Sequence, residues 1–417
     1  MSKTTLIAAS VTAWMTLFLS NALSQELLQG HKAALTSLDF SDDGKLLLSN
    51  SLDGLVLIWD VEKREVKRAF GAARGDTDFL PNRAALMPDG KSLLVASAAG
   101  GVQRWDIKTG EVQEKVDASL SITSNLAVSP DGKYVAWDDR VLGGIKIWNA
   151  RFDRLEKVGV KSEAFGGFVE FSPDGTKLLA TAEPSSIGLW DIKSGKQIAK
   201  KPGRPQAGMT MRASFSPQGR FVAQPAGFND KGKSTVVVWD ARIGETVATL
   251  TSPSPVFISH TSFLQRNVVV TSGTSTAITL WNVDTGQVIA TLGKEPNVAA
   301  GTLAKYKALA ALEVSPDGTL VATCASDGNE TDIRLWDVSE IALPPIVQPA
   351  AVAGAGTSDF RTWTSSNGQF KVEAMLVQVD DGNVVMLTRQ GRAITVRLNQ
   401  LSDADQRYVA SSEESKD

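Results

Sequence analysis

Seven times along this chain a β-rich stretch closes on a Trp followed by Asp or Asn: Trp59-Asp60, Trp105-Asp106, Trp148-Asn149, Trp190-Asp191, Trp239-Asp240, Trp281-Asn282 and Trp336-Asp337. Subtracting consecutive Trp numbers gives intervals of 46, 43, 42, 49, 42 and 55 residues. A period of about 40–45 residues closed by Trp-Asp is that of one four-stranded propeller blade. Such a unit cannot bury both its faces alone, so the blades must stack on one another. Only Trp14, Trp137 and Trp363 of the ten Trp lie off the series.

A second marker precedes each Trp, a turn that follows an alternating strand. It reads Ser41-Asp42-Asp43-Gly44, Met87-Pro88-Asp89-Gly90, Ser129-Pro130-Asp131-Gly132, Ser172-Pro173-Asp174-Gly175, Ser216-Pro217-Gln218-Gly219 and Ser315-Pro316-Asp317-Gly318. Pro presets φ near −65° and Gly accepts the positive φ that ends the turn. The sixth repeat carries Leu264-Gln265-Arg266-Asn267 instead. Strands such as Leu55-Val56-Leu57-Ile58-Trp59 and Val236-Val237-Val238-Trp239 have the apolar, β-branched composition of sheet interiors. Almost no segment carries helical periodicity.

These residues resemble the WD40 repeats of seven-bladed propellers over about residues 26–342. The first repeat is closest, with Gly30-His31, Ser49, Asp53 and Trp59. In that family such His, Ser, Asp and Trp side chains form a hydrogen-bonded tetrad across a blade, and the resemblance implies the same here. By spacing, the sixth repeat keeps His260, Thr271 and Trp281, with Ser275 where Asp is expected. The second has Val95 and Ala99 at the tetrad positions, so it and the other blades are expected to rely on packing. The segment Glu26-Leu27-Leu28-Gln29 precedes the first complete blade and is expected to close the ring as the outer strand of blade seven.

Net charge is −3, from 43 basic and 46 acidic residues, which provides no basic stripe for nucleic acid. One Cys and two His leave little for a metal site or a disulfide, and Cys324 reads as a small buried hydrophobe. No cofactor and no metal are expected. The first 24 residues have the pattern of an export signal: Lys3, an apolar stretch from Leu6 to Leu19, and Ala22-Leu23-Ser24 at the cleavage position. The apolar stretch is short for a membrane-spanning helix, which needs about 20 residues. Cleavage after Ser24 and an exported protein, periplasmic or secreted, without membrane insertion are therefore expected.

Residues 343–358 carry no charge and run from Pro344-Pro345 into Ala and Gly, the composition of a linker. Beyond it, alternating strands with Gly-containing turns read as a small antiparallel barrel over 359–411, ending in a short helical turn capped by Ser402. Residues 412–417 read as a disordered tail. Arg361-x-Trp363-Thr364, Gly368, Phe370-x-Val372-Glu373-Ala374, Leu398-x-x-Leu401-Ser402 and Asp405-Gln406-x-Tyr408-Val409 resemble the Sla-type homology domain one of an endocytic adaptor, an SH3-like fold. The resemblance implies docking of short peptides containing Asn-Pro-Phe. The expected fold class is all-β, a seven-bladed WD40 propeller followed by a small SH3-like barrel.

Catalytic constellations are thin. Gly227-x-x-x-x-Gly232-Lys233-Ser234 matches the phosphate-cradling loop by letter, but a blade strand follows where that motif needs a helix. Asp138-Asp139 is the one adjacent acidic pair in an expected upper-face loop and reads as a solvated turn. No catalytic residue is assigned. Loops entering each first strand and joining each second to third are expected to gather on one binding face. Arg74, Asp138, Arg140, Phe165, Arg204 and Phe257 are its candidate contacts, and Trp363 is a candidate for a peptide groove. The expected function is a non-enzymatic scaffold or adaptor for proteins or short peptide motifs, without nucleic acid. A carbohydrate or cell-surface ligand module and a propeller hydrolase or lyase are the alternatives.

Overall fold

The structure, a computed structural model, describes residues 25–71, 81–97, 101–116, 125–138, 145–150, 155–156, 168–183, 186–202, 212–254, 256–273, 277–293, 309–325, 331–344, 360–366, 368, 371–380, 383–388 and 393–414. The expected signal segment therefore lies outside the described residues. Seven four-stranded antiparallel sheets form the propeller and an eighth belongs to the C-terminal domain. Blade one runs from the channel outward through Leu35–Phe40, Leu46–Ser51, Leu55–Asp60 and Glu65–Gly71. Its innermost strand touches Pro81–Leu86 of blade two on one side and Leu309–Val314 of blade seven on the other, so the wheel is closed.

The ring is closed by the segment read from the sequence. Gln25–Leu28 pairs antiparallel with Ile333–Asp337, Gln25 opposite Trp336 and Leu28 opposite Ile333. Blade seven thus takes its outer strand from one end of the propeller and its other three from the opposite end, and the join leaves no open edge at this seam.

Packing explains why the repeat needs one large aromatic. Each apolar cluster straddles two blades, and the Trp closing a blade packs on the blade before it. Trp59 joins blade one to Leu335 and Cys324 of blade seven, Trp239 joins blade five to Leu179 and Leu189 of blade four, and Trp336 joins blade seven to Val268 and Leu280 of blade six. Trp59, Trp190, Trp239, Trp281 and Trp336 are buried, whereas Trp105 and Trp148 are half-buried at their seams. The outer ladder shifts register next to Trp59, Trp105, Trp190, Trp239 and Trp281, a bulge that sharpens local twist and turns the indole toward the neighbouring blade. Cys324 is fully buried in the seam between blades seven and one, and burial pushes its thiol up to about 12.

The turns between first and second strands repeat one hydrogen-bond pattern. In blade one the Ser41 hydroxyl donates to Asp43 at 2.7 Å and accepts from the Leu46 N–H at 2.9 Å. Ser129, Ser172 and Ser315 repeat both bonds in blades three, four and seven. Burial alone would raise the Asp174 carboxyl, but the Ser172 hydroxyl and the Thr176 N–H and hydroxyl outweigh it and hold it at about 2. Gly44 closes its turn at φ 69°, a conformation that side chains resist.

In the C-terminal domain Arg361–Thr364, Lys371–Asp380, Asn383–Thr388 and Ala393–Arg397 form one antiparallel sheet. A single turn of 3-10 helix, Leu398–Gln400, leads to a helix over Asp403–Glu414. That helix is longer than the turn expected from the sequence and runs into the stretch read as a disordered tail from 412. Ser402 caps it: its hydroxyl accepts from the Asp405 N–H at 3.3 Å and donates to the Asp405 carboxylate at 2.7 Å. The helix carries Val409 into a core with Trp363, Ala374, Val384, Met386 and Leu401.

Candidate functional site

Blade one holds the polar network that the resemblance implied. His31 Nε2 lies 2.8 Å from Ser49 Oγ and His31 Nδ1 lies 3.0 Å from Asp53 Oδ2. Trp59 Nε1 donates to Ser49 Oγ at 2.8 Å, and the Lys32 N–H donates to Asp53 at 2.8 Å. Both ring nitrogens of His31 are thus engaged in holding strands together, which leaves neither to act as a base. In the sixth blade Trp281 Nε1 donates to Thr271 at 2.8 Å, but His260 is not part of that network. It lies within the innermost strand Ile258–Gln265, opposite Ser272, with its Nδ1 2.8 Å from the Ser259 hydroxyl. Blade seven does not rely on packing alone either, because Trp336 Nε1 donates to Thr323 at 3.0 Å.

Of the surface candidates, Arg74, Arg140, Phe165 and Arg204 lie outside the described residues. Asp138 is the last residue of strand Tyr134–Asp138, paired with Ile145, and so belongs to the ladder rather than to a loop. Phe257 is fully buried, its ring 5.6 Å from that of Phe228 on the neighbouring blade, and it offers no surface to a partner. Trp363 is also a core residue: it is 1% exposed and donates its indole N–H to the Ala374 carbonyl at 2.8 Å. Its edge meets Tyr408 at 5.7 Å. Arg361 stacks 4.0 Å from the Tyr408 ring and bonds Asp405 at 2.8 Å, while Asp405 also accepts from the Thr364 N–H at 2.8 Å. Trp363, Ala374, Leu401 and Val409, four of the residues that carry the resemblance of this domain, thus build its interior. The phosphate-loop lookalike is a hairpin between strands Phe221–Phe228 and Ser234–Asp240, with no helix to receive an anion.

What the sequence reading missed is the central channel. Counting two residues back from the first residue of each inner turn gives one inward position per blade: Asp39, Ala85, Ala127, Glu170, Ser214, Ser262 and Glu313. One step deeper stand Ser37, Arg83, Asn125, Phe168 and Arg212. Together they wall a cavity of about 300 Å³, within the size range of small-molecule sites. Asp42, Pro88 and Pro130 of the inner turns also line it, so it lies toward the end of the channel opposite the face assigned to binding from the sequence. That face was chosen from loop positions, whereas the charge lies on strands.

Four carboxyls line this cavity among the described residues: Asp42 is exposed, and Asp39, Glu170 and Glu313 are half-buried. Burial pushes Asp39 up to about 7, against the pull of the Leu86 N–H, which it accepts at 2.7 Å, and Asp42 adds to the rise. Burial likewise lifts Glu170 to about 7, opposed by the Phe215 N–H at 2.9 Å and by Arg212. Glu313 rises furthest, to about 8, through burial and then the Asp39 charge, with Arg212 opposing and Glu170 adding. Asp39 and Glu170 thus tie their blades to the next blade's backbone. Among the described residues no group of three His, Cys, Asp or Glu side chains converges to hold a metal ion.

The "WD domain, G-beta repeat" family matches residues 23–60 and 302–337, and "SLA1 homology domain 1, SHD1" matches residues 353–416. Among curated proteins the chain is similar to Protein HIR1 of Candida albicans, 21% identical over 347 residues, 75% of this chain and 33% of that protein. It is also similar to a Protein LST8 homolog of Dictyostelium discoideum, 39% identical over 173 residues, 39% of this chain and 54% of that protein. A WD repeat-containing protein 91 homolog of the same organism is 27% identical over 187 residues, 43% of this chain and 24% of that protein. The chain therefore spans only between 24% and 54% of these relatives' own lengths. Repeat period, closed ring and matched families agree: this chain carries WD40 repeats folded as a seven-bladed β-propeller, with an SLA1 homology domain 1 at its C-terminus.

Proposed function

We propose that the protein is an exported, non-enzymatic scaffold that joins two macromolecular partners, one on the propeller and one on the C-terminal domain. The observation that carries this reading is the presence of two domains with separate hydrophobic cores, one of them a ring stiffened at every blade seam. A rigid wheel presents many loops at fixed spacing, and a second module on the same chain raises the effective concentration of its own partner. The likeness to WD-repeat proteins supports a protein-interaction role, and the SLA1 homology domain 1 supports recognition of a short peptide motif containing Asn-Pro-Phe. Export rests on the pattern of the first 24 residues.

Cross-linking of the full chain in intact cells, followed by mass spectrometry, tests the scaffold. The expected result is two reproducible partner sets, one attached to propeller lysines and the other to Lys371. Cross-links to self alone would refute the reading. N-terminal sequencing of protein from the extracytoplasmic fraction should begin at Gln25, and recovery of the chain only from the cytoplasm, with Met1 intact, would remove export. Titration with an Asn-Pro-Phe peptide and its Asn-Ala-Phe control tests the C-terminal arm.

A further inference from the structure

Among the described residues the channel cavity has the feature that usually marks a ligand site: buried polar groups aimed inward without a partner. Ser37 Oγ and Ser214 Oγ make no hydrogen bond, and these residues are only 6% and 7% exposed. Leaving a buried hydroxyl unsatisfied costs about 1–3 kcal/mol, so two of them around one cavity call for an explanation. Both line the same cavity as Glu313, a carboxyl that no hydrogen bond engages, unlike Asp39 and Glu170. Oxygen acceptors are thus left over on blades one, five and seven, around a space of about 300 Å³.

We propose that this cavity binds a small primary aliphatic amine, its ammonium group held between blades seven and one by Glu313, Asp39 and the Ser37 hydroxyl. The chemistry narrows the class. An ammonium group brings three N–H donors, which suits a site whose unused groups are oxygens. Its positive charge offsets the repulsion between Asp39 and Glu313, which stand on adjacent blades, the Asp39 charge raising Glu313. A bare divalent ion is a poorer fit, because among the described residues no three acidic side chains converge on one point. Leu38, Leu86, Leu126 and Leu312 supply apolar wall for a short alkyl stem. The inference is independent of the scaffold reading, which places its partners on outer surfaces.

The charged groups facing the site are Asp39, Asp42, Glu170, Glu313, Arg83 and Arg212. The two guanidiniums favour ionised carboxyls and limit how many further cations the cavity accepts. The ammonium binds the ionised form of Glu313, so binding expels a proton wherever that carboxyl starts out protonated. Affinity then rises about tenfold per pH unit for each proton released, and levels off once the carboxyls are ionised without ligand.

The test is calorimetric titration of the full chain with n-butylamine hydrochloride between pH 6 and 8.5, repeated in two buffers of different ionisation heat. Saturable one-to-one binding with proton release, tightening with pH, is the expected result. Glu313→Gln should weaken binding at least tenfold at pH 8, and Ser37→Ala by a smaller factor. Equal binding of tetramethylammonium, which lacks N–H donors, would overturn the proposal, as would binding of acetate in place of the amine. So would the absence of saturation, or an affinity that Glu313→Gln leaves unchanged. If that variant does not fold, the Ser37→Ala titration and the proton count of the unaltered protein decide the matter.

Discussion

In blade one, Ser49 stands opposite Leu57 in the ladder; in blade three, Trp137 stands opposite Lys146, the same position counted back from the closing Trp. Ser49 is the hub of a polar network, accepting from Trp59 and meeting His31. Trp137 makes no such bond: it is 1% exposed, its ring is tilted against Trp148 at 5.9 Å, and its own indole N–H has no acceptor. The position is therefore fixed by backbone register, while its chemistry is free to be polar or aromatic. A blade needs something that fills the space beside its closing Trp, and a hydrogen bond is only one way to achieve that.

The comparison breaks most readily at Trp137. Trp137→Ser writes the family's hydroxyl into blade three, yet it removes a buried indole and should cost about 3–5 kcal/mol of unfolding free energy. A denaturant midpoint close to that of the unaltered protein would mean that the hydroxyl matters more than the volume. In blade one the reverse change applies. Ser49→Ala removes little volume but strands the Trp59 N–H and one His31 nitrogen, at about 1–3 kcal/mol. Thr323→Val in blade seven keeps the shape and strands only the Trp336 N–H, so its loss should be the smaller, about 1–2 kcal/mol. Equal losses for Ser49→Ala and Thr323→Val would show that His31 adds nothing to its blade.

This contrast also sets how far the chain can be read by eye. The Trp spacing and the Ser-Pro-Asp-Gly turns obey backbone rules that hold whatever surrounds them, and so they showed the number of blades and the closing strand, read as Glu26–Gln29 and found one residue earlier at Gln25–Leu28. Tetrad residues are harder, because they depend on where a side chain enters the blade. His260 looked like a tetrad member from its distance to Thr271, but His31 and Ser49 are 18 residues apart, with His31 ahead of its strand and not within it. Phe257, flanked by Ser-Pro-Ser-Pro and Ile258, read as an exposed loop aromatic, and its burial depends on Phe228 of another blade. The channel acids did have a signal. Asp39, Glu170 and Glu313 each stand two residues before an inner-turn Ser, but that inward position gains meaning only once seven strands face one axis. The family match covers 23–60 and 302–337, within blades one and seven, and leaves unmatched both the aromatic blade three and blade six, whose Trp281 also bonds a hydroxyl.

The smallest effect is the one that pH can isolate. Burial raises the Asp53 carboxyl, but the hydrogen bonds from His31 and the Lys32 and Leu55 N–H groups outweigh it, leaving the group below its ordinary value of 3.8. A carboxyl depressed in the folded state contributes stability above its unfolded pKa and loses it as pH falls through the folded one. Asp53→Asn should therefore cost about 0.5–1.5 kcal/mol at neutral pH. The difference from the unaltered protein should shrink below about pH 4 and vanish once Asp53 is protonated in both states. Trp137→Ser, which removes an indole that makes no hydrogen bond, should show the same loss at pH 4 and pH 7. Parallel melts of the two variants across that range separate the blade held by charge from the blade held by volume; a pH-independent Asp53→Asn deficit would place both on packing alone.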